Sequence, residues 1–341
     1  MSRSRRILAG AAGLLILAPL AGCGGGGSAT TTAGGAPPPL AERTKATLVL
    51  DFLPNAVHAG IYHALAAGYY AEQNLDLRIV TPTSTADTLR LIDAGKADIG
   101  LADSVDVFGQ IDRGRDAQAI LAITQRPLGG VITRRADGIV DPADLAGRRV
   151  GISGVPSDEV ILDTILRDAG TDPQRVERVT IGFNGVRALQ NGSVAGFVGY
   201  YPADATQARV SGTPTRVFAF DEHGGPRAPG LVAFSTRSRI AREPGVMRAF
   251  AEATTRGYQE VLASPPTGLA HLLAENRALR RPITAAQLRA YLPLFQADAP
   301  AFGVLPERRI ASLSAFLARS GLTGRAVAPG RFATDRFVPQ P

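Results

Sequence analysis

From residue 47 the chain repeats one pattern. A short apolar run ends at a turn, and a segment with apolar residues every three or four positions follows. Apolar runs of this length read as strands buried on both faces, and the periodic segments as amphipathic helices. Residues 47–52 (TLVLDF) form the first run, broken by Pro54 and Asn55. Residues 56–73 then place Ile61, Leu65 and Tyr69 four apart on one helix face. Strands at 77–80, 99–102 and 119–123 alternate with helices starting near Thr85 and near Asp103 and Ser104. Such alternation implies a parallel sheet covered by helices.

A second series begins after Gly138, with strands at 149–153, 178–183 and 196–200. Helices follow Pro156 and span 186–190. Residues 231–235 read as a strand returning to the first sheet. Residues 245–322 are mainly helical, divided by Pro265, Pro266, Pro282, Pro293, Pro300 and Pro306. The reading is an α/β protein of two lobes, mostly parallel sheets flanked by helices. Lobe 1 takes residues 46–134 and 233–341, and lobe 2 residues 135–232, with crossings near 133–138 and 228–235. A ligand then sits in the cleft between lobes, at the carboxyl ends of strands, with closure as a hinge motion.

The N-terminus is of another kind. Arg3, Arg5 and Arg6 precede an apolar run at 7–20, too short for the roughly 20 residues that span a bilayer. The run ends in Leu-Ala-Gly-Cys23, which resembles the bacterial lipobox, whose Cys becomes the lipidated first residue of the mature protein. Residues 1–22 are then a signal peptide and 23–45 a tether, since Gly24 to Gly27 cannot build a core and three prolines from Pro37 stay extended. The protein is expected to be extracytoplasmic, lipid-anchored at the cell membrane and monomeric.

Composition removes several classes. Cys23 is the one Cys, so no intramolecular disulfide or Cys-based zinc site exists. The formal charge is +7, but three arginines lie in the leader and the remaining charges alternate in sign, so no nucleic-acid partner is expected. His58 and His63 are five apart, off a common helix face, and His223 and His271 have no spaced partners, so no metal is expected. No P-loop, G-x-S-x-G or G-x-G-x-x-G follows a strand.

The segments Asp51-Phe-Leu-Pro-Asn-Ala-Val-His-Ala-Gly60, Gly68-Tyr-Tyr70, Leu91-Ile-Asp-Ala-Gly-Lys-Ala-Asp-Ile-Gly100, Asp144-Leu-Ala-Gly147, Gly154-Val-Pro-Ser-Asp158 and Phe220-Asp-Glu-His-Gly224 carry a resemblance. They resemble binding proteins that share a fold with thiamine-pyrimidine synthases, over residues 46–235. The most specific motif is Leu-Pro-Asn-x-x-His-x-Gly after the first strand. The resemblance implies a type II periplasmic-binding-protein fold. It also implies a substrate-binding protein working with an ABC permease and ATPase, no cofactor, and a planar heteroaromatic nutrient. A thiamine pyrimidine precursor of hydroxymethylpyrimidine or formylaminopyrimidine type comes first. Riboflavin, then sulfonate or nitrate, are the alternatives.

Several residues are expected at the cleft. Phe52 offers a ring face for stacking, and Asn55 a donor and an acceptor, alongside a helix-cap role. His58 contacts ligand or orients the loop through backbone. Ser84, Asp103 and Ser104 start helices of lobe 1, Thr85 capping the first of them, and Ser157 and Asp158 start one in lobe 2. Tyr201 is expected to stack opposite Phe52. The family's pattern after that aromatic pair has Asn and then Glu, where this chain has Pro202 and Asp204.

An enzyme of synthase type is the rival. The resemblance places Ala102 where those enzymes carry their cofactor-binding lysine and Asp106 where they carry a histidine. Lys45 and Lys96 are the only lysines, one in the tether and one on a turn. Without a lysine at 102 no Schiff base forms there.

The leader reading has a direct check. Cys23→Ser should abolish lipid labelling and release the protein from membranes, and unchanged labelling would refute the anchor.

Overall fold

The computed structural model describes residues 38–339. Four strands come first: β1 (Thr44–Val49), β2 (Leu75–Val80), β3 (Ile99–Asp103) and β4 (Gln118–Ala122). Five more follow: β5 (Gly129–Arg134), β6 (Arg149–Ile152), β7 (Glu177–Thr180), β8 (Gly196–Tyr200) and β9 (Thr215–Ala219). The last, β10 (Leu231–Ser235), rejoins the first group. Two five-stranded sheets result, ordered β2-β1-β3-β10-β4 and β7-β6-β8-β5-β9. Within each sheet the helix-linked strands pair in parallel: β1 with β2 and β3, β6 with β7 and β8. The two strands entered by a crossing, β10 and β5, run antiparallel to both neighbours.

The chain therefore leaves the first sheet between Ala122 and Gly129, ahead of the 133–138 crossing read from the sequence. The return lies between Ala219 and Leu231. β5 opens with Gly129 and Gly130, which carry no strand signal of their own. Gly130 is needed there, because a Cβ at this position would lie 2.7 Å from the Phe218 carbonyl oxygen of β9. Lys45, assigned to the tether, sits inside β1.

The expected helix over 56–73 is broken into three. A 3₁₀ turn covers Ala56–His58, followed by α1 (Ala59–Ala66) and α2 (Tyr69–Glu72). Gly68 separates the two helices at φ 82°, a left-handed conformation that glycine adopts without steric cost. The helices α3 (Thr85–Asp93), α4 (Ser104–Asp112), α5 (Pro156–Asp168) and α6 (Gly185–Gln190) follow β2, β3, β6 and β7. Ser84, with no side-chain cap bond, is the N-cap of α3, and Thr85 is its first helical residue. A seventh helix, α7 (Asp204–Val210), unread in the sequence, follows β8.

After β10 come α8 (Arg237–Arg242), α9 (Pro244–Ala263), α10 (Pro265–Glu275), α11 (Arg281–Gln296) and α12 (Glu307–Arg319). Proline stands in the first turn of α9, α10 and α11, where its missing N–H costs nothing. Pro293 is the exception: it lies inside α11 and does not divide it.

These C-terminal helices back the first sheet and the turn after β1. Tyr258 of α9 and Tyr291 of α11 are fully buried, in a core with Tyr70, Phe250, Phe295 and Phe302. The Tyr258 hydroxyl donates to the Val57 carbonyl at 2.6 Å, fastening the 3₁₀ turn to α9. Tyr258→Phe leaves that buried carbonyl without its donor and should cost about 1–3 kcal/mol of stability. Urea denaturation measures it, and an unchanged midpoint would mean the bond does not anchor the turn.

Candidate functional site

The strand ends β1, β3, β6, β7 and β8 converge on one cavity, part of it open to solvent. Its walls come from both sheets. The loop after β1 supplies Asp51, Phe52 and Asn55, and α4 supplies Asp106. Ser153, Ser157 and Asp158 follow β6, Phe183 follows β7, and Phe197 to Tyr200 with Asp204 belong to β8 and the start of α7.

The β1 loop is rigid for local reasons. Asn55 is the N-cap of the 3₁₀ turn: its Oδ1 accepts the Val57 N–H at 3.0 Å and its Nδ2 donates to the Leu53 carbonyl at 3.1 Å. The Asn55 backbone N–H donates to Nδ1 of His58 at 3.1 Å. A backbone N–H only donates, so Nδ1 accepts and the His58 proton sits on Nε2. That Nε2–H points at Asp51 Oδ1, 2.8 Å away.

Two carboxylates tie the second-sheet side together. Asp158 Oδ2 accepts from the Ser153 N–H, the Ser153 hydroxyl and the Gly154 N–H at 2.7, 2.7 and 3.0 Å. Asp106 reaches across from the first-sheet side to the start of α5, taking the Ser157 N–H at 3.0 Å and its hydroxyl at 2.9 Å. The rings of Phe52 and Phe183, one from each side, meet edge to face with centroids 4.2 Å apart. The Tyr200 N–H donates to Asp204 Oδ2 at 2.9 Å.

Burial dominates the electrostatics. It pushes the Asp204 carboxyl up to about 7. Burial, and then the nearby Asp158 charge, pushes Asp106 up to about 7 against the Ser157 bonds. Asp158 is raised by burial despite its three donors. Just outside, burial and the neighbouring Asp106 push Asp103 up to about 8, and burial with the Asp103 charge holds the Tyr200 phenol protonated. Four lining residues are aspartates, and none is Lys, Arg or His. Among the described residues no group of three or more His, Cys, Asp or Glu is arranged to hold a metal. No described helix is long and apolar enough to cross a membrane.

Of the residues expected at the cleft, Phe52, Asn55, Ser157, Asp158 and Asp204 line the cavity. His58, Ser84, Asp103, Ser104 and Tyr201 do not. His58 lies fully buried behind Asp51, in the loop-orienting place that was its second reading. Ser84 is the N-cap of α3 and is not among the lining residues. Asp103 turns its Oδ1 back to cap α4 at the Val105 N–H, 2.8 Å away, and lines a separate small void with Pro127 and Gly129. Ser104 is the first residue of α4 and is itself buried.

Tyr201 misses by one position. Tyr200, the last residue of β8, lines the cavity, whereas Tyr201, one residue past the strand end, does not and packs on the core. Phe183, not Tyr201, meets Phe52. Asp51, Asp106, Ser153, Phe183, Phe197 and Tyr200 were not singled out as cavity residues. Asp51 and Tyr200 each adjoin a residue that was; Asp106 and Phe183 depend on long-range packing.

The fold defines the class: two α/β sheets joined by two crossings around a cleft, the periplasmic-binding-protein architecture. The alkanesulfonate-binding protein SsuA from Xanthomonas axonopodis pv. citri, solved with MOPS, superposes with a TM-score of 0.70 at 15% identity, over 87% of this chain and 100% of that one. Within that class the chain belongs to the family described as NMT1/THI5 like, which matches residues 55–267. The chain is 29% identical over 237 residues to the formylaminopyrimidine-binding protein of Halalkalibacterium halodurans, covering 69% of this chain and 72% of that protein. It is 24% identical over 258 residues to the 4-amino-5-hydroxymethyl-2-methylpyrimidine phosphate synthase of Legionella pneumophila, covering 74% and 80%.

The raised carboxyls have a measurable consequence. An ordinary aspartate titrates at 3.8 and folded Asp204 at about 7. Between these values the folded chain keeps a proton that the unfolded chain has released. Its contribution to stability is therefore full below 3.8 and lost as pH rises through about 7. Asp204→Asn does not titrate, so the Tm of this variant relative to the parent should climb from pH 4 to pH 8. A constant Tm difference across that range would contradict the assignment.

Proposed function

We propose that this chain is the lipid-anchored, extracytoplasmic substrate-binding protein of an ABC importer, without enzymatic activity. Its ligand is a small planar aminopyrimidine of the thiamine-precursor type, formylaminopyrimidine or hydroxymethylpyrimidine. One observation carries the reading: the cavity combines aromatic rings with four aspartates and no cationic side chain. An aminopyrimidine presents a flat ring to Phe52, Phe183, Phe197 and Tyr200 and N–H donors to the carboxylates. The 29%-identical relative bears the name of a formylaminopyrimidine-binding protein, which agrees with that chemistry.

The same inventory disfavours the alternatives. A sulfonate or nitrate entering this cavity meets carboxylates and no Arg or Lys. The Ser157 amide at the start of α5 is already taken by Asp106, and the amides of Ser153 and Gly154 by Asp158. A flavin offers two carbonyls beside its ring N–H, acceptors set against acceptors. Synthase chemistry lacks its lysine: Lys45 lies in β1, Lys96 on the turn before β3, and neither lines the cavity. Cys23 lies outside the described residues, so the anchor rests on the lipobox pattern.

Isothermal titration against formylaminopyrimidine, hydroxymethylpyrimidine, riboflavin, an alkanesulfonate and nitrate tests the ligand class. Pyrimidines should bind and the anions should not. Phe52→Ala and Asn55→Ala should each weaken binding by about 1–3 kcal/mol through lost burial or hydrogen bonding. Tight binding of an anion without pyrimidine binding would overturn the reading.

A further inference from the structure

The two segments that cross between the sheets are fastened at opposite ends. The outgoing one, which follows β4, runs along the start of β10. The Ile123 N–H donates to the Leu231 carbonyl at 2.8 Å, and the Gly230 N–H to the Thr124 carbonyl at 3.1 Å. The Thr124 hydroxyl accepts the Leu231 N–H at 3.0 Å and donates to the Arg126 carbonyl at 3.2 Å. A Cβ on Gly230 would collide with that same carbonyl oxygen. As far as Arg126, then, the outgoing segment is fixed to the first sheet. Pro127 and Leu128 follow and lead into β5 of the second.

The returning segment is fixed to the second sheet. β9 ends at Ala219, and Phe220–Glu222 form a 3₁₀ turn directly upon it. The His223 and Gly225 N–H groups both return to the Phe220 carbonyl, at 3.2 and 2.9 Å. This is the Phe220-Asp-Glu-His-Gly224 segment of the resemblance, and none of its residues lines the cavity. Inside the turn, Oδ2 of Asp221 accepts the Arg126 Nε–H at 2.7 Å and a second N–H from the same guanidinium. The Asp221 side chain is 1% exposed, and Arg126 is the one cation paired with it among the described residues. The ion pair therefore spans the bend between the sheets, with the arginine held on one side and the carboxylate on the other.

A pair so enclosed gains little net stability, because taking both ions out of water offsets most of their attraction. Two N–H groups of one rigid guanidinium on one carboxylate do restrict geometry. A rotation of one sheet on the other about the crossings shifts Asp221 against Arg126. We propose that Arg126 and Asp221 are positioning residues for ligand capture, setting the angle at which the two lobes rest without touching the ligand. Breaking the pair leaves the cavity's own contacts in place and widens the range of angles the lobes visit. The proposal goes beyond the receptor reading, and only its ligand arm rests on it.

The test uses the full chain carrying Cys23→Ser, so that spin labels attach only to thiols introduced by Lys96→Cys and Gln174→Cys. Both positions are exposed, one beside each sheet. Double electron–electron resonance then reads the distance between them without ligand. The parent should give a narrow distribution. Arg126→Met combined with Asp221→Leu leaves no unpaired ion and should broaden it, whereas Arg126→Lys keeps the ion pair and should not. In stopped-flow displacement of 4-amino-5-hydroxymethyl-2-methylpyrimidine, the charge-free double variant should release the probe roughly 3–10-fold faster, since altered closure over unaltered contacts shows in release. An unchanged distribution in the double variant overturns the proposal, as does equal broadening in Arg126→Lys. Unchanged release of a bound probe overturns the role in capture. Failure of the parent to bind the probe counts against the pyrimidine reading, and the ligand-free distances then decide this proposal. Should the double variant not fold, Asp221→Asn, of the same shape without the charge, takes its place.

Discussion

A single backbone amide sets the polarity of the site. The Asn55 N–H leaves the His58 ring one way to carry its proton, and that proton then goes to Asp51 Oδ1. The loop that holds this order is short, capped by its own Asn55 side chain and pinned to α9 by Tyr258. That arrangement places three of the cavity's lining residues on the first-sheet side, Asp51, Phe52 and Asn55.

The second-sheet side is built by a different economy of charge. The start of α5 presents backbone amides with a partial positive charge, a place where proteins often bind anions. Here the protein fills that place with its own carboxylates, Asp158 from within the turn and Asp106 from the opposite side. The result is a cleft lined by carboxyl groups and aromatic rings, in an architecture shared with a sulfonate-binding protein. Strand ends set where loops meet, while the side chains set the chemical character of the cleft.

Much of the architecture was legible in the chain. The apolar run of β1, the Pro54 break and the capping Asn55 are local signals, and so is the signature of α5 after Gly154. β5 was missed because two glycines mask a strand whose need for them arises far along the chain, from Ile161 of α5 for Gly129 and from Phe218 of β9 for Gly130. The helix read over 56–73 broke at Gly68, where a positive φ outweighed an otherwise continuous helical stripe. Asp103 was read as a cleft residue and instead spends its carboxylate on capping α4, a competition that sequence alone leaves open.

By itself, then, the sequence settled the succession of strands and helices and the loops from which a site must be made. Those are short-range properties, carried by periodicity and turn chemistry over a few residues. Only the tertiary structure decided which side chains share the cavity. Tyr200 lines it and Tyr201 does not, because β8 ends at Tyr200 and the chain turns there. Phe183 reaches Phe52, and Asp106 reaches Ser157, because two sheets distant in sequence bring their strand ends together.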